Sequence, residues 1–174
     1  IPNLVLNEDD FTQMAMRLAL YEHSSAPRIL EEARTALTDP NKIERFDFLL
    51  PALSAEPTTR IDLFRSFAQK ENREKENWVL SACYYINHPL RQKTAIQSLG
   101  LSLDLIEEIQ QTGDIFFPKG WLDNTIGMYS SEEAYEVLTG FLEANPELNP
   151  QLKLKILQST DDLYRINRSE DLKK

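Results

Sequence analysis

Few residues of this chain have the chemistry for catalysis, and their spacing limits what each could do. There are two histidines, His23 and His88, and a single cysteine, Cys83. A nucleophilic cysteine needs a base within hydrogen-bond reach and a third group that orients the base. Cys83 and His88 are five residues apart and separated by an expected helix end, and no orienting Asn or Asp is evident. Cys83 lies beside the Trp78, Ala82 and Tyr85 stripe and reads as a small buried hydrophobe. His23 falls near the end of the first expected helix, where a cation suits the helix dipole, and reads as a surface or capping residue. His88 precedes Pro89 and reads as the opening of the next helix. The neighbouring carboxylates Asp9/Asp10, Glu107/Glu108, Glu132/Glu133 and Asp161/Asp162 look at first like acid–base dyads. Adjacent positions on a helix point about 100° apart, so neither member of such a pair can serve the other's site. They read as solvated faces or as partners of helix N-termini. Arg165 and Arg168 could in principle hold a peptide carboxylate. On a last helix rich in Asp and Tyr, a local ion pair or surface position is the plainer reading.

The elements that would position these residues are helical nearly throughout. Phe11, Met14, Ala15, Leu18 and Ala19 recur at the spacing of one helix face, and similar stripes follow. They include Ile61, Phe64 and Phe67; Trp78, Ala82, Tyr85 and Ile86; Ala134, Val137, Leu138 and Phe141; and Leu152, Ile156 and Leu157. No segment keeps a period of two, so strands are not expected. Pro27, Pro40, Pro57, Pro89 and Pro150 stand where first helical turns would begin, since proline's missing N–H costs nothing there. Asp39 and Asn149 precede two of them as N-caps, and Ser130 with Glu133 has capping-box spacing. These joints divide the chain into roughly ten short helices. Such helices cannot bury a face alone and must stack as hairpins. The expected fold is all-α, an irregular α-solenoid of stacked hairpins like HEAT or armadillo pairs, in one domain over residues 1–174. All five glycines lie between Gly100 and Gly140. Departure from plain hairpins is therefore expected at Gly113–Gly127. There Gly113 would end a helix in the left-handed conformation, with Asp114 bonding nearby amides.

Composition narrows the partners. A net charge of −9 opposes nucleic acid and anionic membrane surfaces, so neither is expected. No apolar run approaches the length of a membrane span. The start, Ile1-Pro2-Asn3, has no signal-peptide character and suits an excised domain or processed product. The end, Ser169–Lys174, reads as a frayed charged tail. One cysteine excludes an internal disulfide and leaves the compartment open.

Three segments carry a family likeness: TGDIFFPKGWLD (Thr112–Asp123), KILQSTDDLYR (Lys155–Arg165) and HPLRQK (His88–Lys93). Together they resemble the C-terminal helical domain of M1-family zinc aminopeptidases, the aminopeptidase N group. The likeness is clearest over His88–Arg168, about half the chain. It implies a parent enzyme that removes N-terminal residues from peptides by zinc-assisted attack of water. The family's H-E-x-x-H zinc motif and G-x-M-E-N segment are absent here; Met14, Met16 and Met128 stand in other contexts. The resemblance thus implies that this chain has no catalytic residue, cofactor or metal site of its own, the zinc belonging to the parent's catalytic domain. Its partners would be that domain of the same polypeptide and, through the parent, the peptide substrate. Its role would be to enclose the peptide chamber. Phe116, Phe117 and Trp121 are bulky residues among turn formers. They either plug the gap between helix layers or face the catalytic domain. Periodicity alone supports equally well a free-standing HEAT-like scaffold that binds another protein.

Overall fold

The computed structural model describes residues 6–171, with side-chain detail through 168. The Ile1–Asn3 start lies outside the described residues. At the other end the final helix reaches Asp171, so the Ser169–Lys174 tail begins as helix, and its last residues also lie outside.

Among the described residues the chain is all-α, with twelve α-helical segments, four short 3-10 turns and no strand. The helices are α1 (Glu8–Leu20), α2 (Ala26–Ala36), α3 (Pro40–Leu53), α4 (Pro57–Ser66), α5 (Glu76–Asn87) and α6 (Gln92–Ala95). After them come α7 (Leu99–Asp104), α8 (Ile106–Thr112), α9 (Phe117–Asp123), α10 (Glu132–Ala144), α11 (Pro150–Ser159) and α12 (Asp161–Asp171). Each proline named above opens a helix or 3-10 turn in its first two positions. Asp39 accepts from the Asn41 and Lys42 amides, and Asn149 from those of Gln151 and Leu152. The cap of α10 is Ser131, one residue later than the Ser130 expectation, and it accepts from the Ala134 amide.

Consecutive helices pair early and late, α1 with α2, α3 with α4 and α11 with α12. Across the pairs, one row of neighbours runs α1, α3, α5, α9, α11. A second runs from α4 through α6 and the 3-10 turn Ile96–Ser98 to α7, α10 and α12. One contiguous cluster of buried apolar side chains extends from Ala15 to Leu163. Its aromatic centre is Trp121, whose ring lies 5.4 Å from Phe64, 6.1 Å from Phe117 and 6.4 Å from Phe67. Trp121 also donates its indole N–H to the Ser102 carbonyl at 3.0 Å, so its polar atom is satisfied in the core.

The inner face of α1 differs from the expected stripe. Ala15, Met16, Ala19 and Leu20 are buried, while Phe11 and Met14 face outward. The two sets share Ala15 and Ala19, so the apolar arc of α1 is wide and the core takes only one side of it. Leu157 on α11 is likewise at the surface. No helix among the described residues is long and apolar enough to cross a membrane.

Candidate functional site

The most heavily built surface feature is the loop joining α8 to α9. Gly113 follows α8 in extended backbone, φ −85°, not in the left-handed region expected for it. Its glycine is required by space: an added Cβ would stand 2.9 Å from the Ile109 carbonyl oxygen and 2.7 Å from the Phe117 ring. Asp114 does bond nearby amides, its Oδ1 accepting from Phe116 at 2.7 Å and Phe117 at 2.8 Å. From α5, Glu76 Oε1 accepts the Asp114 amide at 3.0 Å. Pro118 then fixes the first turn of α9. These ties hold Ile115 and Phe116 outward, 77% and 79% exposed, while Phe117 and Trp121 are 2% and 0% exposed. Of the three aromatic residues considered above, two fill the interior and present no surface to a neighbour. Phe116 alone is offered outward, together with Ile115.

Among the described residues, Glu76 and Asp114 are a carboxyl pair that meets across elements. Burial raises the Glu76 carboxyl above its ordinary value, and the neighbouring Asp114 charge adds to this against the lowering effect of the Asp114 amide. Asp114 is held low, chiefly by the Phe116 and Phe117 amides. Of the two, Glu76 is therefore the first to take up a proton as the pH falls. The two residues lie far apart in sequence, which is why adjacency in the chain could not reveal them. Comparison with protein-family models, curated proteins and solved structures finds no match for this chain.

The other candidates are accounted for locally. Cys83 is fully buried, and burial pushes its thiol far above the ordinary value, so it stays protonated and unreactive. His88 Nδ1 accepts the Leu90 amide at 3.3 Å, and its pKa is lowered by burial and then by Arg91. His23 Nδ1 accepts the Ser25 amide. The vicinal acids serve different partners: Asp9 binds Lys42, Asp10 accepts the amide of Asn7, the N-cap of α1, and Glu108 binds Arg73. Asp161 pairs with Arg165 one turn on, and Arg168 is at the surface. Among the described residues no three His, Cys, Asp or Glu side chains gather as a metal site.

Sequence reasoning missed the residue that gives HPLRQK its structural role. Arg91 is buried and donates to the carbonyls of Ala19 at 3.0 Å, Ala52 at 2.8 Å and Leu53 at 3.1 Å. It thereby closes the C-terminal ends of α1 and α3 together. Beside it, Arg60 is also buried and donates to Ser54 O, Ala55 O and Thr94 Oγ1. Burial, then the charge of Arg60, lowers the Arg91 pKa to about 10. An arginine in a polar run reads as surface, and no local signal distinguishes one that caps helices distant in sequence.

Proposed function

We propose that this chain is the non-catalytic, C-terminal helical domain of an M1-type zinc aminopeptidase. It packs on the zinc-bearing catalytic domain and helps enclose the peptide chamber. The observation that supports this is the Ile115–Phe116 tip, two large apolar side chains held outward by a loop tied at both ends. An ordered pair of exposed apolar residues gains by insertion into a neighbour's surface, and its rigidity keeps the entropic cost of docking low. The outer side of α1 adds to this, with Phe11, Met14 and Tyr21 exposed along one stripe. The zinc and the water it activates belong to the parent's catalytic domain; this chain supplies shape and exclusion.

The size of the native polypeptide tests the reading, by immunoblot of source cells with antibody raised against the chain. A band several times larger, bearing H-E-x-x-H upstream, is expected. A band of the chain's own size would overturn it in favour of a free-standing HEAT-like scaffold, the reading that the two-row helix order otherwise supports. Purified chain is expected to cleave no aminoacyl anilide with zinc added; zinc-dependent turnover would also defeat the proposal.

A further inference from the structure

A groove of about 610 Å³ lies between α1, α3 and α5. Met16 and Leu20 form its apolar floor, Tyr84 and Tyr85 line the α5 side, and Arg17 and Arg45 stand on α1 and α3. Smaller hollows adjoin it, one sharing Met16 and Arg45, the other sharing Tyr84 and Tyr85 and reaching Asn124. The depression therefore crosses three helices.

Its charge runs against that of the chain. Arg17, Lys42 and Arg45 face one carboxylate, Asp9, in a protein of net charge −9. Lys42 is bound to Glu8 and Asp9. The arginines elsewhere are largely engaged: Arg28, Arg34, Arg65, Arg73 and Arg165 hold carboxylates, and Arg60 and Arg91 hold carbonyls. Among the described residues Arg17 has no ion-pair or hydrogen-bond partner for its guanidinium, and Arg45 has only a long contact of 3.5 Å with Ser81 Oγ. Both line the same groove as Tyr85, whose hydroxyl pKa is raised by burial against the lowering charges of Arg45 and Arg17.

Two unengaged arginine forks over an apolar floor, beside two tyrosines, match a chain segment that presents carboxylates and apolar side chains together. Arginine's planar fork fits a carboxylate through two parallel hydrogen bonds, and tyrosine supplies contact area with a polar tip. We propose that this groove binds an extended acidic peptide segment, with Arg17 and Arg45 holding its carboxylates. The apolar floor and the two tyrosines beside the arginines favour a polypeptide with apolar side chains over a compact anion. This inference needs only the chain itself and stands apart from the aminopeptidase reading.

Fluorescence anisotropy tests it with a labelled, C-terminally amidated hexapeptide of alternating glutamate and phenylalanine, against its glutamine counterpart. Saturable binding of the glutamate peptide is expected, weakening as salt is raised. Arg17→Gln and Arg45→Gln are each expected to weaken it by roughly 10-fold, the scale of one charge-assisted pair. Arg28→Gln, at the surface outside the groove, should leave binding unchanged. Both groove arginines are exposed, so circular dichroism should show the fold retained. Equal binding of the two peptides, no saturable binding, or indifference to both substitutions would overturn the proposal. Full displacement by millimolar inorganic phosphate would also overturn it, since the groove would then be a general anion site.

Discussion

Arg91 ends two helices with one side chain, and the cost of losing it follows from what it leaves behind. In Arg91→Met the Ala19, Ala52 and Leu53 carbonyls lose their buried donor. Unsatisfied buried acceptors cost about 1–3 kcal/mol apiece before relaxation, so a loss of roughly 3 kcal/mol in urea unfolding is expected. Arg91→Lys should recover little, because an ammonium cannot span carbonyls on two helices as a fork does. An unchanged midpoint in Arg91→Met would show that water replaces the guanidinium, and one in Arg91→Lys that a single ammonium suffices. Nearby, Glu22 sits at φ 54° just past Tyr21, the residue that ends α1, where the His23 amide reaches back to the Leu18 carbonyl. This left-handed position normally takes glycine. Glu22 stays there although its carboxylate is close enough to act on both Arg60 and Arg91 only through space. Removing the carboxylate is common to Glu22→Gly and Glu22→Ala, while the backbone strain persists only in the alanine. Glycine should therefore be the more stable of the two by about 1 kcal/mol; equal melting temperatures would remove the strain argument. The Glu76 carboxyl is raised in the folded state, so the stability it contributes is full below the ordinary value of 4.5 and is lost as pH rises through its folded value. Asp114 is depressed, and its contribution is lost only as pH falls through its own folded value. Glu76→Gln keeps an acceptor for the Asp114 amide and removes the charge. It should raise the melting temperature at neutral pH, with the gain shrinking as the pH approaches 4.5 from above. A gain that is independent of pH would mean the carboxyl pair is not its cause.

At the scale of elements, glycine separates two kinds of helix contact. An added Cβ at Gly127 would stand 2.8 Å from the Ser159 carbonyl oxygen and 3.0 Å from that of Leu122, so the end of α11 and the chain after α9 meet there without room for a side chain. Gly140, inside α10, would meet nothing within 4 Å. Gly127→Ala should therefore destabilise by about 1–3 kcal/mol through overpacking against backbone. Gly140→Ala should stabilise by about 0.5–1 kcal/mol through helix propensity. Opposite signs in thermal melts are the expected outcome, and two gains would mean that α11 shifts freely. The helices themselves were legible, because prolines at first turns and the Asp39 and Asn149 caps are local signals. Junctions such as Gly127 with Ser159 were not, since they join residues whose proximity depends on how helices stack. The same holds for Phe11 and Met14, where a wide apolar arc does not say which side the core takes. The candidate loop was half legible: Asp114 as an amide-binding residue follows from its place beside a glycine. Its tie to Glu76 crosses from the loop between α8 and α9 to α5 and leaves no trace in the local pattern.

For the molecule as a whole, Trp121 is the side chain on which the two halves depend together. It contacts Phe64 and Phe67 from the first half of the chain and Phe117 and the Ser102 carbonyl from the second. Arg91 adds a second crossing, from the middle of the chain to the ends of α1 and α3. With crossings of this kind in one contiguous core, neither half can open without exposing the other's buried face. Urea unfolding should then be a single transition, with tryptophan fluorescence and helical circular dichroism tracing the same curve. Trp121→Ala removes the largest fully buried side chain and should cost about 3–5 kcal/mol, much of the stability of a domain this size. Phe116→Ser, five positions earlier but outside the core, should leave the midpoint within about 0.5 kcal/mol. That contrast separates the two ways in which the aromatic residues of the loop can serve. If Phe116→Ser unfolds the chain as Trp121→Ala does, the tip is part of the core and is not free to dock. If it leaves the fold intact, its cost must be sought in whatever surface covers it, and the outward residue can be changed without disturbing the ones beneath.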